Sequence, residues 1–154
     1  MDRLETDTYF MWMALDEAQA AFAKEEVPVG AVVVHQDIVV GRGHNSVETL
    51  QDPTAHAELL AITAAAGTLK SWRLNQCTLY VSLEPCTMCI GAIHLARIQR
   101  VVFGAKDPKF GACGSIIDVP AVSSWNHSVE VQGGILDDEA ARLMRGFFRK
   151  LRED

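Results

Sequence analysis

His56-Ala57-Glu58 and Pro85-Cys86-Thr87-Met88-Cys89 are the two segments whose residue types and spacing can do chemistry. One imidazole and two thiolates make a three-ligand set for zinc, with a fourth position left to water. That open position is what separates a catalytic site from a structural one. Two thiolates three residues apart fit around one ion at a helix start, where backbone N–H groups also favour negative ligands. Glu58 lies two residues from His56, and residues so spaced do not share a face of a regular helix. It is therefore read as a proton carrier rather than a ligand. It would take a proton from the activated water, pass it to a ring nitrogen and help an amine to leave. The reaction implied is hydrolytic deamination of a nucleobase, at C4 of cytosine or C6 of adenine.

Each part alone supports less. A lone CxxC pair also serves thiol redox chemistry or half of a structural zinc site, and a lone histidine in an Ala/Leu-rich helix is commonly packed core. A structural site would want a fourth ligand, for which Cys113, His44 and His94 are candidates. A thioredoxin-like motif should follow the first parallel strand unit, whereas this one lies mid-chain. The pairing of H-A-E with P-C-x-x-C, each opening a helix, favours the catalytic reading. Cys77 opens an apolar run and reads as a buried thiol. The role of Cys113, in a glycine-bearing loop, stays open.

The elements that must position these groups follow from periodicity and breakers. A first helix is predicted from Thr8 to Glu26, capped by Asp7 or Thr8, with Met11, Leu15, Ala18 and Phe22 as its apolar stripe. Pro28 ends it. Val29–Val34 and Ile38–Gly41 read as a hairpin, and Arg42 to Gln51 as a loop. Asp52-Pro53 marks a helix start, and that helix ends near Gly67. Thr78–Leu83 reads as a buried strand, Cys86–Ala96 as a helix, and Val101–Gly104 as a strand. Asp107 to Ser115 is a loop. Val129–Gln132 reads as a short outer strand, and Asp137 caps a last helix running to Arg152. The order α-β-β-α-β-α-β-β-α implies an α/β fold: three layers, α/β/α, around a mixed sheet of about five strands. The two ligand groups, both on first helical turns, would meet at one edge of that sheet.

A length of 154 residues fits one domain, 1–154. No apolar run reaches a membrane span, and MDRLETDTYF lacks the apolar segment of a secretion signal, so a cytoplasmic protein is expected. No phosphate loop or dinucleotide fingerprint is present, which leaves no nucleotide cofactor to expect. The net charge of −6 disfavours broad, non-specific DNA binding, but it is unevenly spread. Residues 61–112 carry 6 basic and 2 acidic side chains, and Arg142, Arg145, Arg149, Lys150 and Arg152 crowd the end. A local positive surface for a small, defined RNA element is compatible with that pattern.

Beyond these motifs, the segments EVPVGAVVV, the Asn45 loop, DPTAHAE, TLYVSLEPCTMC, RVVFGAKDPKFGACGS, NHSVEV and GFFRKLR resemble the cytidine/deoxycytidylate deaminase superfamily. More closely they resemble its bacterial tRNA-specific adenosine deaminases. The resemblance implies a cytidine-deaminase-like fold, one Zn2+ per subunit, a homodimer, and a tRNA anticodon stem-loop as partner. The reaction implied is conversion of the wobble adenosine of an arginine tRNA (anticodon ACG) to inosine. It also implies substrate-binding residues. Asn45 would hold the purine by its polar edge, with Val29 and Ala57 beside the flipped base. Lys106 and Asp107 would stand close to the target nucleotide, and Asn126 and His127 would line the RNA cleft. Phe148, Arg149 and Arg152 of the last helix would contact tRNA. His94 and Cys113 depart from the small or apolar residues expected there. Two other functions remain on the sequence: a free-base (guanine or cytosine) deaminase, which the net charge favours, and a non-catalytic zinc-stabilised RNA-binding protein, against which Glu58 speaks.

Overall fold

The computed structural model describes residues 1–154. Helix α1 is Arg3–Ala23, followed by β1 (Gly30–His35), β2 (Ile38–His44), the single turn α2 (Val47–Leu50) and α3 (Ala57–Leu69). Then come β3 (Cys77–Leu83), α4 (Thr87–Leu95), β4 (Arg100–Ala105), a 3-10 turn at Val119–Ala121, β5 (Glu130–Gln132) and α5 (Asp137–Glu153). The strand order is β2-β1-β3-β4-β5. β1 pairs antiparallel with β2 and β3, while β3, β4 and β5 run parallel. The expected mixed five-stranded sheet is present, with helices on both faces.

Alternation along the strands builds two cores. Ala31, Val33, Leu79, Val81, Val101 and Phe103 point to one face, against Ala57, Ala61 and Ala65 of α3 and Ile90 and Ile93 of α4. Val32, Val34, Tyr80 and Val102 point to the other, against Phe10, Met11, Ala14 and Leu15 of α1 and Ala140 of α5. α3 lies unusually close to β2. A Cβ on Gly43 would stand 2.5 Å from the Ala57 carbonyl oxygen, so only glycine lets this helix seat there. No helix is long and apolar enough to cross a membrane.

Several boundaries differ from those the sequence predicts. α1 starts at Arg3, not Thr8, because Asp2 caps it by accepting from the Glu5 N–H (2.8 Å). Asp7 is buried inside the helix as the partner of Arg100. The predicted loop at 42–51 holds the end of β2 and the turn α2. α3 starts at Ala57 rather than Pro53, because Asp52 accepts from both the N–H and the hydroxyl of Thr54 and closes a local turn instead. α5 begins at Asp137 itself, behind Leu136 in a left-handed conformation.

Candidate metal centre and active site

The shortened α3 puts His56 at its N-cap, with extended backbone at φ −79° and ψ 152°. Cys86 is the N-cap of α4, extended at φ −79° and ψ 176°. Cys89 follows one turn later, fully buried. Both helices open at the same edge of the sheet, and there the three side chains meet. His56 Nδ1 lies 3.6 Å from the Sγ of Cys86 and 3.4 Å from that of Cys89. The three ligand atoms lie within 4.8 Å of one another, a cluster able to hold a metal ion.

No fourth protein ligand joins them. His44 is engaged elsewhere, its Nδ1 on Glu17 (3.0 Å) and its Nε2 on Lys24 Nζ (3.1 Å). His94 donates from Nδ1 to the Ile90 carbonyl (2.8 Å), and Cys113 is outside the cluster. The four-ligand cage of a structural site is therefore not built. A hydrogen bond from Cys89, and then one from His56, holds the Cys86 thiol down to about 4. The same pairing and burial push Cys89 up, and the bond to Cys86 raises the His56 imidazole.

Glu58 is 4% exposed and stands in the first turn of α3, beside the cluster but not in it. Burial pushes its carboxyl up to about 7, against the pull of its own backbone N–H and of the His56 ring. A carboxyl near neutrality can accept and return a proton.

The base-holding residues that the resemblance implies are stitched to the same edge. Asn45 is buried, and its backbone N–H donates to the Val29 carbonyl (3.0 Å). The next residue, Ser46, donates to the Ala55 carbonyl (2.9 Å), directly before His56 and Ala57. Val29, Asn45, His56 and Ala57 are thereby drawn together. Lys106 and Asp107 follow β4, whose last residue, Ala105, pairs with Leu83 just before Glu84-Pro85-Cys86. Lys106 is exposed, and one oxygen of Asp107 accepts from the N–H groups of Lys109 (3.0 Å) and Phe110 (3.3 Å).

Other residues are not brought to the cluster. His127 Nε2–H donates to the Ile98 carbonyl (2.8 Å), since a carbonyl only accepts. Ile98 lies beyond the far end of α4 from Cys86, so Asn126 and His127 sit about one helix length from the metal centre. Phe148, Arg149 and Arg152 are exposed on the last turns of α5. Phe147 beneath them is buried and packs edge-on to Phe22 (5.9 Å), close to where α1 leads into the Val29 segment.

Two residues that organise this edge were missed by sequence reasoning. Glu26, 1% exposed, accepts from the N–H groups of Glu48 (3.1 Å) and Thr49 (2.6 Å) and from Asn45 Nδ2 (3.5 Å). Burial raises its carboxyl, but these bonds overcome it and hold it below the usual range. Glu84, 3% exposed, accepts from the N–H groups of Asp107 (3.1 Å), Cys113 (2.9 Å) and Ser115 (3.1 Å) and from the Ser115 hydroxyl. It is the hub of the 107–115 loop. A Cβ on Gly111 would stand 2.4 Å from its carboxyl carbon. The available signal was an acidic residue one or two positions before a proline, in Glu26-Val27-Pro28 and Glu84-Pro85.

Comparison with known proteins places this architecture. The chain matches the MafB19-like deaminase family over residues 5–152. It is 46% identical over 147 residues to the tRNA-specific adenosine deaminase of Bacillus subtilis (strain 168), covering 96% of this chain and 91% of that protein. A solved tRNA:A34 deaminase, which performs A-to-I editing at the wobble position of transfer RNA, superposes with a TM-score of 0.85 at 43% identity, over 88% of this chain and 99% of its own. The guanine deaminase of Bacillus subtilis matches less fully, with a TM-score of 0.63 and 39% identity over 69% of this chain and 66% of that one. The chain belongs to the MafB19-like deaminase family and, within it, to the tRNA-specific adenosine deaminases of the cytidine deaminase superfamily.

Proposed function

We infer that this chain hydrolyses the wobble adenosine of tRNA to inosine at a zinc site held by His56, Cys86 and Cys89. The observation that carries this reading is the three-ligand cluster with Glu58 buried beside it and no fourth protein ligand. At ordinary Zn–S and Zn–N lengths and tetrahedral angles, a sulfur and a nitrogen on one ion lie about 3.6 Å apart. The distances here are 3.4 and 3.6 Å. When bound, the ion supplies Lewis-acid activation of water at its open position.

The rest falls to the chain's own residues. Glu58 accepts one proton from the attacking water and delivers it to the purine ring nitrogen, then takes the remaining proton from the oxygen now on C6 and passes it to the departing amine. Ammonia leaves as the new C–O bond at C6 replaces the C–N bond. Asn45, fixed by Val29 and Glu26, offers a donor and an acceptor to the polar edge of the base. Val29 and Ala57 flank it. Lys106 and Asp107 meet the backbone of the target nucleotide, and Phe148, Arg149 and Arg152 meet the RNA further out. A target base must leave its stack to enter such a pocket, and an anticodon loop makes that easy.

Asn126 and His127 serve the RNA cleft in a homodimer, in which each subunit lends its far end to the other's site. Exposed Leu95 on α4 and Val122, just after the 3-10 turn that packs on α4, supply apolar surface for that contact. Sedimentation equilibrium should give twice the chain mass, and a monomer at micromolar concentration would refute the dimer. The arginine anticodon ACG is the substrate we expect. The test is turnover of an ACG stem-loop against free guanine and free cytosine. Inosine from the stem-loop alone supports the reading, and turnover of a free base alone replaces it with a free-base deaminase.

A further inference from the structure

The segment between β4 and β5 has little regular structure, yet a closed circuit of contacts ties it to the metal-ligand turn. The Ala112 N–H donates to the Pro85 carbonyl (2.9 Å), and the Val119 N–H donates to the Ala112 carbonyl (2.9 Å). Trp125 Nε1–H donates to the Val119 carbonyl (2.8 Å). The Trp125 ring then lies on the ring of His94, with centroids 4.3 Å apart and planes 21° from parallel. His94 returns the circuit along α4. Its Nδ1–H donates to the Ile90 carbonyl (2.8 Å), and the Ile90 N–H donates to the Cys86 carbonyl (2.9 Å). The path leaves from Pro85 and comes back to Cys86.

His94 is a strange residue for a core position. It is 2% exposed, and its Nε2 is buried with no partner. With Nδ1 donating, Nε2 is a lone-pair acceptor left unpaired, which costs free energy that an apolar side chain would not. What the ring does contribute is its face, on which Trp125 rests. Directly after Trp125 come Asn126, which is exposed, and His127, which is tied to the Ile98 carbonyl (2.8 Å). Asn126 is thus held between two anchors, one on His94 and one just past the end of α4.

We propose that His94 is a positioning residue for RNA binding, its ring acting as the seat on which Trp125 fixes the 119–128 segment and so presents Asn126 and His127 to the substrate. This rests on the reading of the chain as an RNA deaminase. The ring nitrogens take no part in the reaction. Removing the seat frees the segment and weakens RNA binding, while the metal centre at the other end of α4 is untouched.

The test is steady-state kinetics of the zinc-loaded protein on an anticodon stem-loop for His94→Ala, His94→Phe and Trp125→Ala, with zinc content and thermal midpoint measured on each. A displaced binding group some distance from the chemistry should raise KM about tenfold in His94→Ala and Trp125→Ala, with kcat and zinc content held. His94→Phe keeps the stack and removes the unpaired lone pair, so its KM should match the unaltered protein and its midpoint should not fall. Unchanged KM in Trp125→Ala and His94→Ala overturns the proposal, as does a His94→Phe KM as poor as that of His94→Ala. Should His94→Ala fail to fold, Trp125→Ala decides, because Trp125 is 38% exposed and outside both cores. An unaltered protein inert on RNA sinks the underlying reading as well, whereas an active one with unmoved variants sinks only the role of His94.

Discussion

Arg100 clasps Asp7 through two parallel hydrogen bonds, Nη1 to Oδ1 and Nη2 to Oδ2, each 2.7 Å long. Tyr80 adds its hydroxyl to Asp7 (2.9 Å), and Arg100 Nε donates to Glu130 (2.7 Å). The network joins α1, β3, β4 and β5 at the sheet end opposite the metal centre. Burial raises the Asp7 carboxyl, but the Arg100 and Tyr80 bonds prevail and hold it below the usual carboxylate range. A depressed folded-state value stabilises above the ordinary Asp range and loses that stabilisation as pH falls through the folded value. The contribution of this network to the unfolding free energy should therefore be flat near neutrality and fall below about pH 4. Asp7→Asn should cost about 3–5 kcal/mol at pH 7 in urea unfolding, because it leaves Arg100 buried without its counter-charge. An unchanged midpoint would contradict this account of the network.

Glu84 holds the 107–115 loop by four hydrogen bonds. Glu84→Ala leaves the N–H groups of Cys113 and Ser115 without their acceptor. It should lower stability by on the order of 3 kcal/mol and raise KM for RNA, since Lys106 and Asp107 lie at the loop's root. Calorimetry and kinetics on one preparation check both parts. A variant with lower stability but unaltered KM would separate the loop from substrate binding.

Glu58→Ala should bind zinc and fold normally yet turn over about 10²–10⁴-fold more slowly, because only proton transfer is lost. Near-normal turnover would remove Glu58 from the reaction.

Cys86→Ala should lose zinc. It should also unfold at a lower temperature than the unaltered protein, because metal binding is coupled to the folded state. A chelator applied to the unaltered protein should lower its midpoint likewise. Full zinc content in the variant would displace Cys86 from the ligand set.

The chemistry was more legible in the sequence than the framework that aims it. His56, Glu58, Cys86 and Cys89 stand out because ligand chemistry demands fixed types at fixed spacing, and Cys86 follows directly on Pro85 at a helix start. The sheet followed from alternation and the order of elements. The start of α3 was misplaced because Asp52 can serve a helix or a local turn, and Thr54 decides for the turn. The start of α1 was misplaced because Asp7 reads as a cap until Arg100, far along the chain, is seen to claim it. Glu26 and Glu84 were invisible for a similar reason. Their partners are backbone N–H groups more than twenty residues away, and no residue type marks a backbone donor. The positions of Asn126 and His127 depend on contacts with the end of α4, which periodicity does not report.

The cluster of His56, Cys86 and Cys89, worked by Glu58, is proposed to deaminate one adenosine in tRNA. The direct measurement is incubation of a full-length arginine tRNA bearing adenosine at the wobble position with zinc-loaded protein, followed by reading inosine at every adenosine. Inosine is expected at the wobble position alone, and none with Glu58→Ala. A tRNA left unedited by a zinc-loaded, folded protein would contradict it.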